Sequence, residues 1–156
     1  MKNNFDKSLR KLENHYNNLF SKYGVNVKTS QQSSRITQIK RMKILTKNIN
    51  FTKRDKILDF GCGTGFFLNF IRKRKKFSGI YHGCDIAEKI IYNNKKKLAD
   101  PKVFFFCKNI LKSNLKGYYD YIFINGTFNN QIGNNVLWMK KTLALLFSKT
   151  KKKTNI

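Results

Sequence analysis

Apolar residues recur along this chain with two spacings, and the stretches that carry them alternate. In the first 50 residues they return every three or four positions, which predicts an amphipathic helix ending near Lys22 and a second helix capped by Ser33 or Ser34. Beyond residue 50, continuous apolar runs predict buried strands over residues 56–60, 79–84, 102–107 and 120–126. Helical spacing predicts helices over residues 64–73, 86–97 and 134–149.

Strands that alternate with helices predict right-handed crossovers and a parallel sheet. We therefore expect an α/β fold, a doubly wound parallel sheet preceded by two N-terminal helices. Residues 1–50 would form a helical leader, within which residues 25–35 could fold over the sheet as a lid, and residues 51–156 would form the sheet domain. In the last helix, the apolar residues available for burial are Val136, Leu137, Met139, Leu143, Leu146 and Phe147.

A glycine-rich turn follows the first predicted strand. Gly61, Gly63 and Gly65 alternate with small residues, so the backbone can adopt positive φ angles and let a ligand approach closely. The turn joins the carboxyl end of a strand to the start of a helix, where open α/β sheets bind nucleotide-like ligands. Two acids accompany it: Asp59 lies two residues before the first glycine, and Asp85 follows Gly65 by 20 positions.

This turn differs from the dinucleotide fingerprint G-x-G-x-x-G, because Phe66 stands where the third glycine would fall. That difference disfavours a nicotinamide dehydrogenase. An acid-x-G-x-G-x-G loop, followed by an acid after the next strand, resembles the nucleotide loop of class I S-adenosylmethionine (SAM) dependent methyltransferases. The alternative is an ordinary strand–turn–helix corner without a ligand, which the joint occurrence of loop and acid disfavours.

Segments outside the loop narrow this resemblance. Residues 15–24 read HYNNLFSKYG and residues 120–129 read DYIFINGTFN, and both are similar to segments of a bacterial group of stand-alone class I methyltransferases. Gln32 occupies the position where that group usually has tryptophan. The resembled fold is Rossmann-like, with strand order 3-2-1-4 in this part of a seven-stranded sheet. We therefore expect that strands five to seven are missing from a truncated chain, or that a partner or second copy covers the edge of the fourth strand.

The resemblance also implies roles for residues at the carboxyl ends of the strands. Asp59 would receive the ammonium group of SAM, the glycine loop would approach its methionine part, and Asp85 would accept the ribose hydroxyls. Asn109 stands where the family usually has an acid that contacts the adenine amino group, and its side-chain oxygen could still accept.

Four further residues complete the implied site. Ile86 and Ile110 would border the adenine, and Asn125 with Gly126 would flank the methyl group. The implied cofactor-binding residues are therefore Asp59, Gly61, Cys62, Gly63, Gly65, Asp85, Ile86, Asn109, Ile110, Asn125 and Gly126. Methyl transfer from SAM relies on positioning and does not demand a catalytic nucleophile, so no catalytic residue is assigned.

Composition limits the class of protein further. A hydrophobic content of 40% in 156 residues is typical of one globular domain. No run approaches the roughly 18 apolar residues of a membrane span, and the N-terminus lacks a signal-peptide pattern, so we expect a cytoplasmic protein. Cys62, Cys84 and Cys107 are interpreted as reduced core thiols, and the two histidines are isolated, so no metal site is predicted.

The formal charge of +25 raises the question of a nucleic-acid partner. The lysines are spread over nearly every polar face, which favours a compositional bias on solvated surfaces over a selected RNA-binding face. The leading hypothesis is thus a SAM-dependent methyltransferase with a small-molecule acceptor. The alternatives are an RNA methyltransferase, and a non-catalytic SAM-binding module or inactive fragment.

Overall fold

The computed structural model describes residues 5–98, 100–113, 115–131 and 133–151. Two helices come first, and strands then alternate with helices. The elements in chain order are α1 (Phe5–Tyr23), α2 (Arg35–Leu45), β1 (Lys56–Phe60), α3 (Phe66–Lys75), β2 (Ile80–Asp85), α4 (Glu88–Leu98), β3 (Val103–Cys107), β4 (Tyr121–Ile124) and α5 (Asn135–Ser148). The α/β fold with two leading helices is therefore confirmed.

The four strands form one parallel sheet in the order β3-β2-β1-β4, as expected. In this register Leu58 of β1 lies between His82 of β2 and Ile122 of β4. Because all four strands run in one direction, the glycine turn after β1 and the ends of its neighbours meet at the same edge of the sheet. The strand order reverses at β1, which places the turn at the switch point where such sheets bind ligands.

Local sequence accounts for where several elements begin and end. The Ser34 hydroxyl accepts from the Thr37 amide at 3.1 Å and caps α2, and the Asn134 side chain caps α5 in the same way at 3.0 Å. Strand β4 ends at Ile124, earlier than the predicted residue 126, because Gly126 adopts a φ of +79° and turns the chain.

Buried residues cover both faces of the sheet, since neighbouring residues of a strand point to opposite sides. On one face Ile57 and Tyr81 pack with Leu68 and Ile71 of α3. On the other face Leu58, Phe60 and Cys84 pack with Ile110, Leu115, Tyr119 and Leu146. Helices therefore cover both faces, as a doubly wound sheet requires.

The buried side of helix α5 differs from the side that the sequence predicted. Of the six residues expected inside, only Leu146 is buried, whereas Val136 and Phe147 are each 57% exposed. Trp138 is buried instead, and its ring packs against Phe128 with 4.8 Å between centroids. The prediction was wrong because this helix is apolar around most of its circumference, so contacts of Trp138 with distant residues select the buried side.

The end of α5 is tied to the start of β4. The Tyr119 amide donates to the Lys149 carbonyl oxygen, and the Lys151 amide donates to the Tyr119 carbonyl oxygen, each at 2.8 Å. These bonds form a short parallel bridge between Tyr119 and Thr150. The expectations of a truncated chain and of a partner at the β4 edge are not tested by contacts within one chain, and they stay predictions.

Candidate functional site

All three glycines of the turn adopt backbone conformations that other residues rarely take. The φ angles of Gly61, Gly63 and Gly65 are +78°, +48° and +74°. A Cβ on Gly61 would overlap the Thr127 hydroxyl, and one on Gly65 would overlap Leu98. At Gly63 the nearest atom to such a Cβ is the Ser30 Oγ at 3.6 Å. Two of the glycines thus permit close packing, while a Cβ on the third would meet the Ser30 Oγ at an ordinary contact distance.

Asp85 joins the end of β2 to the glycine loop. Its Oδ2 accepts from the Gly63 amide at 2.9 Å, and its Oδ1 accepts from the Ala87 amide at 3.0 Å. Burial raises the pKa of this carboxyl, while the backbone hydrogen bonds act in the opposite direction. Each oxygen keeps a further lone pair, so the carboxylate can accept from a ligand as well.

Asp59 is a second buried acid beside the loop. Its side chain is 3% exposed, and its Oδ2 accepts from the Tyr81 hydroxyl at 2.6 Å. Burial raises the pKa of Asp59 to about 7, and the nearby Asp85 adds to the rise, although the Tyr81 hydrogen bond opposes it. This carboxyl therefore changes its charge near neutral pH, and a cation bound beside it would hold it in the ionised form.

The loop is anchored from three directions. The Cys84 carbonyl oxygen accepts from the Gly61 amide at 2.8 Å and from the Cys62 amide at 3.1 Å. The Thr127 hydroxyl donates to the Phe60 carbonyl oxygen at 2.9 Å, and the Asn94 amide donates to the Gly63 carbonyl oxygen at 2.7 Å. Sequence reasoning missed both side chains. Asn94 carried a signal, since it lies four residues after Ile90 on the apolar side of α4.

A cleft of about 980 Å³, including its open mouth, separates the sheet edge from the N-terminal part of the chain. We call its two boundaries the sheet side, formed by residues 59–64, 85–86 and 125–127, and the leader side, formed by α1 and residues 24–42. The residues of the leader side that line the cleft are Leu9, Leu12, Tyr16, Thr29, Ser30, Gln32, Gln38 and Met42. Trp138 of α5 also borders it.

Comparison with known families decides what kind of domain this is. The family model described as a methyltransferase domain matches residues 57–146, more than half of the chain. The chain belongs to this methyltransferase domain family. The resemblance to class I SAM-dependent methyltransferases is thereby confirmed, whereas the leader motif stays a prediction.

Curated relatives of this methyltransferase domain carry the name malonyl-[acyl-carrier protein] O-methyltransferase. The protein from Priestia megaterium is 30% identical over 104 residues, which cover 63% of this chain and 38% of the relative. The protein from Ilyobacter polytropus is 39% identical over 77 residues, which cover 49% of this chain and 28% of the relative. The matched part thus spans well under half the length of these relatives.

Solved structures share the fold of the methyltransferase domain at low identity. The plantazolicin methyltransferase BpumL, bound to a monoazolic analogue and S-adenosylhomocysteine (SAH), has a TM-score of 0.54 and 22% identity, covering 94% of this chain and 58% of that chain. Coclaurine N-methyltransferase, bound to N-methylheliamine and SAH, has a TM-score of 0.55 and 14% identity, covering 74% of this chain and 33% of that chain. These likenesses show the fold.

Within the methyltransferase domain, most residues that the sequence singled out meet at the cleft. Those that line it are Asp59, Gly61, Cys62, Gly63, Asp85, Ile86, Asn125 and Gly126. Gly65 is the N-cap residue of α3 and does not line the cleft. Their separate roles toward a ligand stay predictions.

Asn109 and Ile110 do not line the cleft. The Asn109 side-chain oxygen accepts from the Leu111 amide at 3.1 Å, so it closes a local turn. Ile110 is 4% exposed and packs in the core of the sheet. Lys108 borders the cleft in their place. The contact of Asn109 and Ile110 with adenine therefore has no support from the lining of the cleft and stays a prediction.

Side-chain contacts attach the leader side to the methyltransferase domain. Tyr16 of α1 accepts a hydrogen bond from Asn130 at 2.6 Å, and burial raises the pKa of its hydroxyl. Lys89 of α4 donates to Asn17 through its amide and to Ser21 through its ammonium group, at 3.1 and 2.9 Å. These contacts hold α1 against the start of α4, beside Asp85.

Two arginines of the leader side are placed at the surface. The exposed Arg41 donates to the Gln32 side-chain oxygen at 3.1 Å, which is consistent with a solvated helix cation tied to its own segment. The guanidinium of Arg35 lies 4.1 Å from the ring centre of Phe66 and forms a cation–π contact with it. Arg35 thus links α2 to the first turn of α3.

Residues 5–98, 100–113, 115–131 and 133–151 contain all three cysteines of the chain. Cys62 and Cys84 are buried as free thiols, but Cys107, the last residue of β3, is exposed, so its interpretation as a core thiol was wrong. In these ranges no three His, Cys, Asp or Glu side chains are grouped to hold a metal ion. No helix in them is long and apolar enough to cross a membrane.

Proposed function

We propose that this chain binds SAM in the cleft and transfers its methyl group to a small-molecule acceptor. The observation that supports this most directly is the arrangement at Gly63. Its amide is bonded to Asp85, and the residue lines the cleft, where the atom nearest to an added Cβ would be the Ser30 Oγ at 3.6 Å. A nucleoside can therefore approach the loop closely while Asp85 accepts from its ribose hydroxyls.

The charge on the sheet side suits the zwitterionic end of SAM. Asp59 lies in β1 just before the loop and is buried, and this burial raises its pKa to about 7. An ammonium group beside it would favour the ionised carboxylate. Ile86, which also lines the cleft, offers an apolar surface for the adenine.

When bound, SAM supplies an electrophilic methyl group, so the chain needs chiefly to position the acceptor and exclude water. Positioning of two reactants can contribute about 7–11 kcal/mol to lowering a barrier. The leader side covers the glycine loop with Ser30, Gln32 and Gln38. We assign to this side the tasks of excluding water and contacting the acceptor.

The acceptor class has one clue in the relatives, whose names give a malonyl group on a carrier protein as the substrate. A carboxylate is ionised at neutral pH and needs no general base to act as a nucleophile. We therefore rank small carboxylates first among the acceptors to be tried, followed by amines and hydroxyl compounds.

RNA is a second candidate acceptor, and the net charge of +25 favours it. The cations of residues 72–75 and 95–97 lie in the last turns of α3 and α4, where they complement the helix dipoles, so their presence does not require RNA. RNA binding in which affinity falls steeply with salt would support the RNA acceptor.

A transfer assay tests the proposed function. The chain would be incubated with methyl-labelled SAM and either a panel of small carboxylates, amines and alcohols or bulk RNA, and label and SAH would be measured. Label in a small molecule supports the proposal, and label in RNA supports the second candidate. SAM binding without transfer to any acceptor would indicate a non-catalytic module.

A further inference from the structure

Asn94 does not border the cleft, yet it is bonded to the residue that lies at the centre of the glycine loop. Its side chain is fully buried in α4, and its Nδ2 donates to the Gly63 carbonyl oxygen at 2.7 Å. The Gly63 amide donates to Asp85. Side chains from β2 and α4 therefore hold both backbone polar groups of Gly63.

The side-chain oxygen of Asn94, Oδ1, is buried without a hydrogen bond to any described residue. A carbonyl oxygen can only accept, so Nδ2 must face Gly63 and Oδ1 must face away from it. This Oδ1 has no hydrogen-bond partner among the described residues. A buried acceptor without a partner costs more than one ordinary hydrogen bond contributes. Fold stability alone therefore does not explain an asparagine at this position.

The loop itself gives a reason for the asparagine. Glycines at 61, 63 and 65 leave the backbone more conformational freedom than any other residue would. A ligand that binds a mobile loop must order it, which lowers the affinity. A bond to the Gly63 carbonyl oxygen fixes the orientation of one peptide unit before any ligand arrives.

We propose that Asn94 is a positioning residue, which orients the Gly63 peptide so that the loop and Asp85 are arranged for the nucleoside in advance. This inference rests on the proposed binding of SAM. Asn94 acts through Gly63 and touches no ligand itself.

The test uses Asn94→Ala, with Asn94→Ser as a variant that keeps a hydroxyl donor and Asn93→Ala as the matched control. Asn93 is the neighbouring half-buried asparagine of α4, and it makes no hydrogen bond to the described loop residues 61–65. For each protein the dissociation constant for SAH, the melting temperature and the hydrogen exchange of the Gly63 amide would be measured.

Asn94→Ala should bind SAH at least about tenfold more weakly, without a lower melting temperature, since it also removes the unpartnered oxygen. Its Gly63 amide should exchange faster than in the wild type. Asn94→Ser should recover part of the affinity, and Asn93→Ala should match the wild type in all three measurements.

Unchanged affinity and unchanged exchange in a folded Asn94→Ala protein would overturn the proposal. An equal loss of SAH affinity in Asn94→Ala and in the control Asn93→Ala would also overturn it. If Asn94→Ala does not fold, the same measurements on Asn94→Ser test the proposal. A folded variant whose Gly63 amide exchanges as in the wild type, but whose melting temperature is lower, would assign Asn94 a purely structural role. If the wild type itself does not bind SAH, the proposed function fails, while the exchange comparison still tests the positioning role.

Discussion

The sheet side and the leader side of the cleft are held in place by different kinds of contact. On the sheet side the loop is fixed by backbone hydrogen bonds to Cys84 and by the buried side chains of Asp85 and Asn94. On the leader side, α1 is attached through side chains such as Lys89, and through the ion pair of Asp6 with Lys112, whose side chains are 44% and 53% exposed.

This difference has an energetic meaning. An exposed ion pair contributes about 0–1 kcal/mol, whereas a buried polar group that loses its partner costs about 1–3 kcal/mol. The sheet side can therefore keep one fixed geometry for a constant ligand such as SAM. The polar contacts of the leader side are weaker, but α1 is also held by apolar burial, because Phe5 and Leu9, each 6% exposed, pack against Trp138.

The largest loss of SAH affinity is expected at Asp85, the sheet-side acid that is bonded to the Gly63 amide. Asp85→Ala should weaken SAH binding at least tenfold, because a hydrogen bond to a charged group contributes about 1.5–3 kcal/mol. Calorimetric titration measures it. Asp100→Ala removes the same charge far from the cleft, where Asp100 pairs with Arg72, and should leave the affinity unchanged. Equal affinities of the Asp85 variant and the wild type would remove the ribose contact from the account.

The second effect concerns the protonation of Asp59, whose pKa is raised to about 7 in the folded protein. Below that pH an incoming ammonium group must displace a proton, so SAH affinity should fall by up to about tenfold per pH unit. Titrations between pH 5 and pH 8 measure this slope. Asp59→Asn should bind SAH weakly, and with little dependence on pH in this window.

The raised pKa of Asp59 also determines how the stability of the fold depends on pH. The folded pKa lies above the unfolded value of about 3.9, so folding favours the protonated carboxyl, and this stabilisation is lost as the pH rises through about 7. Asp59→Asn should therefore raise the melting temperature more at pH 8 than at pH 5. A variant that is less stable than the wild type at pH 8 would contradict the raised pKa.

A smaller effect is expected from crowding at Gly61, where a Cβ would overlap the Thr127 hydroxyl. Gly61→Ala should lower the free energy of unfolding by about 1–3 kcal/mol. Gly24, at the end of α1, has a φ of +59° and nothing within 4 Å of such a Cβ. Gly24→Ala therefore introduces backbone strain without a steric overlap, and it should lower the free energy of unfolding by only about 1 kcal/mol, as measured by chemical denaturation. Equal costs would show that the sheet side is not tightly packed there.

The smallest effect on SAM should come from the leader side. Tyr16→Phe removes the hydroxyl that accepts from Asn130, and it should change SAH affinity by less than about threefold. Once an acceptor is known, the same variant should change its KM more than the affinity for SAH. A tenfold loss of SAH affinity would place Tyr16 within the donor site and remove the contrast between the two sides.

Much of the sheet side follows from local sequence. The apolar run of β1 and the alternating glycines specify a strand and a turn by themselves, and the position of Asp85 follows from the length of one strand–helix–strand unit. Asn94 was not foreseen, because its bond to Gly63 depends on how closely α4 approaches the loop.

The rest depends on contacts between distant parts of the chain. Helix α5 is apolar on several sides, and Trp138 is selected for burial by Phe5 and Leu9 of α1. The side chain of Asn109 turns to its own backbone instead of the cleft, a choice that composition does not determine. Such side-chain orientations can be predicted only once the three-dimensional arrangement of the helices and strands is known.

The most direct test of the central claim is calorimetric titration of this chain with SAH at pH 8, where Asp59 is ionised. We expect a single site with a dissociation constant in the micromolar range, about −8 kcal/mol of binding free energy. A folded, monodisperse sample that shows no binding heat and no rise in melting temperature would contradict the assignment of the glycine loop and Asp85 to SAM.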